Sequence, residues 1–317
     1  MTDRGLLDLM INRLSFLSPK EKMHFCEKFS NEEEFIKISK ADAEAVIGRR
    51  ILGILNTSSL KQAVSLDVHN ARLRGIKWVC WNSPEYPPLL REIYDPPVVL
   101  FYRGSLPNPE KPLAAIVGTR KPSPLAMAQT YDISKNLGRS GISVISGLAI
   151  GIDAMAHRGC VESGSPSFAV LGSGVDEVYP SSNRSLANKI LETGGALISE
   201  YPPGMGPRKH HFPARNRIIS GLARGVLIAE APKKSGALIT AGFALEHNRE
   251  LWVASSGITD NGKFDRTGTK KLSEEGAQII NSAEEIFAAW NMDNTGSLPV
   301  QDNNLASSLA CSLGITL

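Results

Sequence analysis

A chain of 317 residues that is 42% hydrophobic and 21% charged reads as a soluble, globular protein with enough apolar material for one large domain or two ordinary ones. Its net charge of +3 excludes a generally basic, histone-like protein, so any nucleic-acid site has to be a local patch. Cys26, Cys80, Cys160 and Cys311 are far apart and form no C-x-x-C pair, which argues against a zinc site or a disulfide framework and for a reducing, cytoplasmic setting.

The opening MTDRGLLDLMINRL carries charges at Asp3, Arg4, Asp8 and Arg13 and so lacks the apolar core of a signal peptide. The longest uncharged apolar-rich run, 140–152, is interrupted by glycine and too short to span a membrane. Residues 1–78 predict a small helical accessory domain, of the SAM or helix-hairpin-helix kind. LLDLMINRL has apolar residues at helical spacing; Ser18-Pro19 followed by Glu21 reads as a capped helix start; 41–55 and 60–74 are further helices. Proline and aromatic residues crowd 81–112, which predicts an ordered strap with a strand at 98–102.

From Leu113 onward, apolar β-like runs at 114–118, 142–147, 167–172, 196–200, 225–231 and 251–257 alternate with helical segments near 125–140, 152–163, 182–194, 214–224 and 236–248. Continuously apolar strands separated by helices predict a parallel sheet covered on both faces. The fold expected for 79–290 is therefore an extended Rossmann-like, doubly wound, mainly parallel α/β domain, completed by a strand at 277–280 and a helix at 283–290. The tail 291–317 is polar and reads as disordered.

Ligands of an open parallel sheet bind beyond the carboxyl ends of its strands. Nearly every strand end here carries Gly, Ser or a charge: Gly118-Thr119-Arg120, Ser146-Gly147, Gly172-Ser173-Gly174, Glu200, Glu230 and Ser255-Ser256-Gly257. Small residues let a ligand reach backbone N–H groups and helix N-termini, which favours phosphate; tight turns alone are the competing explanation for any one glycine. G-x-G-x-x-G is incomplete at Gly172-Ser173-Gly174, and no G-x-x-x-x-G-K-[ST] loop exists, so a nicotinamide enzyme or an ATPase is disfavoured. Arg120 directs a forked cation at this zone, and Lys233-Lys234-Ser235-Gly236 forms a basic loop ahead of a helix. Asp153 and His157 are four apart, yet no third ligand stands nearby, so a capping Asp beside a satisfied His is preferred to a metal or acid–base pair.

The stretch KHHFPARNRIIS, 209–220, lies in a segment with no acidic residue between Glu200 and Glu230 but with Arg208, Lys209, Arg215, Arg217 and Arg224. Cations without counter-ions neutralise phosphates, and Phe212 offers a face for a base, so the pattern suits a single-stranded nucleic acid better than a small anion. Lys209 and Phe212 are the leading candidates, with Arg215, Asn216 and Arg217 able to brace the loop as readily as to touch DNA.

These segments resemble the DNA-processing protein A (DprA/Smf) family. The matching stretches are YPPLLREIYDPPVVLFYRG, IVGTR, SGLAIGIDAMAH, VLGSGVDEVYPSSN, SEYPPG, FPARNRIISGLA and EAPKKSGALITAGFALEHNR, followed by GA at 276–277, in the family's order across roughly 86–277. The resemblance implies a non-enzymatic, homodimeric, single-stranded-DNA-binding protein with no cofactor, which helps load the RecA recombinase in natural transformation or recombination. It also implies that Arg120, Lys209 and Phe212 contact DNA. Two departures stand out. NGKFDRTGTKKLSEEGA (261–277) has Lys270 where the family usually has Asn, and the tail after Trp290 is too short for the winged-helix module of some members. An alternative is a small-nucleotide hydrolase, since SGALITAGFALE (235–246) is similar to the phosphoribohydrolase motif ending in Glu, although its double Gly and Pro are missing. A nucleotide sensor on the same fold is the third reading.

Overall fold

The computed structural model describes residues 3–51, 56–259 and 262–292. Five helices open the chain: α1 (Asp3–Asn12), α2 (Pro19–Lys28), α3 (Glu32–Ile36), α4 (Lys40–Ile47) and α5 (Thr57–Leu73). Helix α2 starts as its residues dictate: Ser18 Oγ accepts the Glu21 N–H, the Glu21 carboxylate accepts the Ser18 N–H, and Pro19 fills the first position. Helix α4 stops at Gly48, which takes the left-handed conformation at φ 72°. The helix expected over 41–55 is thus shorter, and its last residues lie outside those described. Leu7, Met10, Ile11 and Leu14 of α1 and its following turn are buried, and Arg13 binds Asp67 of α5.

The remaining chain runs β1 (Lys77–Cys80), α6 (Pro88–Arg91), β2 (Val99–Gly104), β3 (Leu113–Val117), α7 (Pro124–Arg139), β4 (Ser143–Ser146), α8 (Ile152–Glu162), β5 (Ser167–Val170), α9 (Arg184–Glu192), β6 (Ala196–Ser199), α10 (His211–Leu222), β7 (Gly225–Ile228), α11 (Gly236–Glu246), β8 (Glu250–Ala254), α12 (Thr267–Glu274), β9 (Gln278–Ile280) and α13 (Ala283–Ala289). One sheet contains all nine strands, in the order β1-β2-β6-β5-β4-β3-β7-β8-β9. The seven from β6 to β9 are parallel, and β1 and β2 add an antiparallel edge. The Rossmann-like expectation is met, with helices on both faces of a mainly parallel sheet.

Four elements escaped the sequence pattern: β1, α3, α6 and α12. Strand β1 is four residues long beside the proline strap, and the boundary drawn at 78/79 falls inside it. The strap is held by side chains: Arg91 donates to the carbonyls of Trp81, Ser83 and Tyr86, and Tyr86 Oη donates to the Pro97 carbonyl at 2.8 Å. The expected disordered tail lies, from 293 on, outside the described residues.

The N-terminal helices share a core with the sheet domain. Leu7, Leu14, Phe25 and Phe35 belong to the same apolar cluster as Val99, Phe101, Leu171 and Leu186. An Arg74–Asp176 ion pair and a hydrogen bond from Asn12 Nδ2 to the Glu200 carbonyl tie the two parts at the surface. Among the described residues no helix is long and apolar enough to cross a membrane.

Candidate nucleic-acid interface

Strand β3 is the switch point of the sheet: β4, β5 and β6 follow on one side of it, β7, β8 and β9 on the other. The chain leaving β3 and the chain leaving β7 therefore diverge at their carboxyl ends, where this architecture leaves a crevice. A cleft of about 960 Å³ opens there, lined by Gly118, Thr119, Arg120 and Lys121 after β3 and by Pro232, Lys234, Ser235 and Gly236 after β7. Lys209, Phe212, Pro213 and Asn216 from the start of α10 form another wall. Helices α10 and α11 both present their N-termini to it, so their terminal N–H groups and dipoles add to the positive field. Ser235 caps α11 by accepting the Ala237 N–H, and Asn216 Nδ2 donates to the Gly236 carbonyl at 3.1 Å, which links the two helix starts.

Arg120, Lys121, Lys209 and Lys234 are exposed around the cleft, and none has an ion-pair partner among the described residues. Phe212 is half-buried at the centre, with the Arg120 guanidinium 5.8 Å from its ring centroid and Tyr179 5.6 Å away at 45°. Phe212 belongs to no apolar core cluster, so its ring faces the cleft rather than the interior. Helix α10 begins at His211, three residues earlier than the pattern predicts, because Pro213 is tolerated in a first turn where no N–H is needed. His211 anchors that turn: its ring stacks on Tyr201 at 3.8 Å and its Nδ1 lies 3.0 Å from the Gly172 carbonyl.

The loop after β3 is shaped by Gly118, where a Cβ would stand 2.7 Å from Ile152. It is pinned by Glu230. The Glu230 carbonyl accepts the Thr119 N–H at 2.7 Å; its buried carboxylate accepts the Ser123 N–H, the Ser123 hydroxyl and Arg266 Nε.

Two of the predicted arginines are buried, Arg217 beneath the cleft and Arg215 in its floor. Arg217 is 3% exposed and forms a bidentate pair with Glu200 at 2.7 and 3.0 Å, with Asp95 3.1 Å from its Nε. It is therefore neither unpaired nor available to DNA, a correction to the charge reading: its partners stand elsewhere in the sequence. Burial by itself raises the Glu200 carboxyl, and the Arg217 charge outweighs it, leaving the group below its ordinary value. Arg215, 4% exposed, donates Nη1 to the carbonyls of Gly147 and Val170; burial lowers its pKa to about 10, partly offset by Asp153. It braces the cleft floor.

The strand-end glycines need a similar correction. A Cβ on Gly147 would meet Arg215 Nη2 at 2.4 Å, and one on Gly172 would meet the Phe212 ring at 3.0 Å. They make room for side chains of the protein. The Gly147 N–H goes to Asp153, the Gly174 N–H to the Met205 carbonyl, and the buried Ser146 hydroxyl to the Ile116 carbonyl. These donors are engaged, so Ser146, Gly147 and Gly174 form no anion cradle.

Asp153 and His157 do not act as a pair. Asp153 accepts the N–H groups of Gly147 and Ala149, while His157 Nδ1 faces Ser167 Oγ at 2.8 Å and burial lowers its pKa to about 3. Among the described residues no group of three His, Cys, Asp or Glu side chains is placed to hold a metal. Glu246, on which the hydrolase reading depends, ends α11 and does not line the cleft. Sequence reasoning missed Lys121, Tyr179, Lys263 and Phe264 as cleft residues. The first sits beside Arg120 and was open to the same argument; the others arrive from distant loops.

A sequence model of the DNA recombination-mediator protein A family matches residues 77–291. The protein Smf of Borreliella burgdorferi is 33% identical over 93% of this chain and 92% of its own. The structure of DNA processing protein A from Streptococcus pneumoniae superposes with a TM-score of 0.68 at 31% identity, covering 91% of this chain and 98% of that one. A structure of DNA processing protein A from Helicobacter pylori, solved for its single-stranded DNA binding mode, superposes with a TM-score of 0.59 at 26% identity over 68% of this chain and 95% of that one. The family match runs unbroken from β1 past α13, and this chain belongs to the DNA recombination-mediator protein A family.

Proposed function

We propose that the cleft at the β3/β7 switch point binds single-stranded DNA, Arg120, Lys209 and Lys234 holding phosphates and Phe212 stacking a base. The observation that carries this reading is a half-buried aromatic ring, outside every core cluster, set among cations that lack counter-ions. Phosphate alone would not call for the ring, and a ring needed only for the core would pack into one of the core clusters. The H. pylori relative, described by its single-stranded DNA binding mode, supports the same ligand.

The protein acts in this proposal as a non-enzymatic recombination mediator: a homodimer in the cytoplasm that protects single strands and delivers them to RecA. Binding without chemistry suits a cleft whose two lining carboxylates are committed, Asp153 buried on the Gly147 and Ala149 N–H groups and Asp265 on the Thr267 N–H and hydroxyl. Buried thiols at Cys26, Cys80 and Cys160 suit a reducing compartment.

The test is oligonucleotide binding across a salt series, single-stranded against double-stranded. Single strands should bind more tightly, with a log–log salt slope of about −0.7 per phosphate neutralised. Arg120→Ala, Lys209→Ala and Phe212→Ala should each weaken binding, the last by about 1–3 kcal/mol. Indifference to all three changes sinks the site. Thermal stabilisation by mononucleotides but not by oligonucleotides would favour the nucleotide-sensor reading instead.

A further inference from the structure

The far wall of the cleft carries a second cation–aromatic pair. Lys263 and Phe264, on the segment between β8 and α12, line the same space as Lys209 and Phe212. Lys263 is exposed and has no ion-pair partner among the described residues. The neighbouring carboxylate, Asp265, is turned to its own backbone: its Oδ1 accepts the Thr267 N–H at 3.0 Å and the Thr267 hydroxyl at 2.6 Å. Phe264 is half-buried and, like Phe212, belongs to no apolar core cluster. Its ring lies 5.6 Å from the Arg266 guanidinium. Phe212 and Phe264 thus each have an arginine against the ring and a lysine close by in sequence.

The Phe264 wall and the Arg120 loop are built on one support. Arg266 Nε and the Ser123 hydroxyl both bind Glu230 Oε2, at 2.9 and 2.6 Å, so the segment carrying Phe264 and the loop carrying Arg120 share a buried carboxylate. Thr267 Oγ1 also accepts the Lys233 N–H at 3.0 Å, and the Gly268 and Thr269 N–H groups bond to the Ala231 carbonyl. A half-buried apolar ring on a segment held this firmly beside a polar cleft is preorganised for a flat ligand, because the entropy of ordering it is met on folding. The cleft volume of about 960 Å³ is large enough for more than one nucleotide unit, lying at the upper end of the roughly 300–1,000 Å³ that holds a whole drug-sized ligand.

We propose that Phe264 is a second base-stacking station and Lys263 its phosphate contact, so that one strand crosses the cleft with separate bases on Phe212 and Phe264. This rests on the reading of the cleft as a single-stranded DNA site.

The experiment measures binding of a long oligothymidylate to the full chain and to variants at both stations. Phe264→Ala should weaken binding roughly tenfold, within the range for one lost stack. Phe264→Leu should be as weak as Ala, while Phe264→Trp should bind as tightly as the parent and show a Trp emission change on DNA addition that the parent lacks. Lys263→Ala should reduce the magnitude of the salt slope by about 0.7. Wild-type affinity in Phe264→Ala or Phe264→Leu, alongside weakened Phe212→Ala, overturns the second station and leaves the first standing. Wild-type affinity in Phe212→Ala and Phe264→Ala together means that the cleft reading itself has failed.

Discussion

Lys209 and Phe212 stand at the mouth of α10, and Arg215 and Arg217 stand one turn further on, yet the two pairs belong to different physical worlds. The first pair faces the cleft, Phe212 half-buried and Lys209 exposed with no ion-pair partner among the described residues. The second is at least 96% removed from water, Arg215 on backbone carbonyls and Arg217 on Glu200, 17 residues earlier, and on the carbonyl and carboxylate of Asp95, 122 residues earlier. A stretch without acidic residues therefore says little about which of its cations are unpaired. The cleft cations answer to a ligand and the buried ones to the fold, and a substitution series should separate them.

The largest effect expected is on the buried side. Arg217→Met leaves Glu200 without its bidentate partner and should cost about 3–5 kcal/mol in denaturant unfolding, the usual penalty for breaking a buried ion pair. DNA affinity of the folded fraction should stay unchanged; a selective loss of affinity would place Arg217 with the cleft set after all. Next comes His157, held neutral by burial and then by the Arg215 charge, with its pKa lowered from 6.5 to about 3. The folded state resists protonation while the unfolded state takes a proton below the ordinary value. The stability is fully present above about pH 6.5 and is lost as pH falls toward 3. Between pH 7 and 4 the loss from this group is about 3 kcal/mol, and His157→Gln should flatten the pH profile of unfolding by that amount. An equally steep profile in the variant would assign the acid sensitivity to other groups.

The sheet was legible in the sequence because buried parallel strands are continuously apolar, as AAIVG and GVLIAEA are, and the crevice rule then located Gly118-Thr119-Arg120 and Ser235-Gly236. Ser18-Pro19 was legible because capping is local. What escaped depends on distant residues. Arg217 looked unpaired because Glu200 and Asp95 meet it only through the fold. Gly147 and Gly172 looked like anion cradles because nothing local shows that Arg215 and Phe212 fill their faces. Phe264 was read only as part of a segment that departs from the family pattern, since its place in the cleft follows from Arg266 reaching Glu230, 36 residues earlier. Strand β1 was missed for another reason: KWVC is short, and its antiparallel pairing with β2 is decided by the strap that joins them.

The smallest effect is the sharpest test of the cleft side. Lys234 is exposed ahead of Ser235 at the N-terminus of α11, with no ion-pair partner among the described residues. Removing its charge disturbs no buried group, so Lys234→Ala should leave unfolding free energy within about 0.5 kcal/mol of the parent. If Lys234 holds one phosphate, the salt slope of single-stranded DNA binding should shrink in magnitude by about 0.7, equally for every sequence tested. Lys209 approaches the cleft from a different wall, and the phosphates the two lysines would hold are separate. The double variant should then lose about twice that slope, and the two affinity losses should add to within about 0.5 kcal/mol. A slope unchanged by Lys234→Ala but reduced by Lys209→Ala would confine the strand to the α10 side and take the N-terminus of α11 out of the interface.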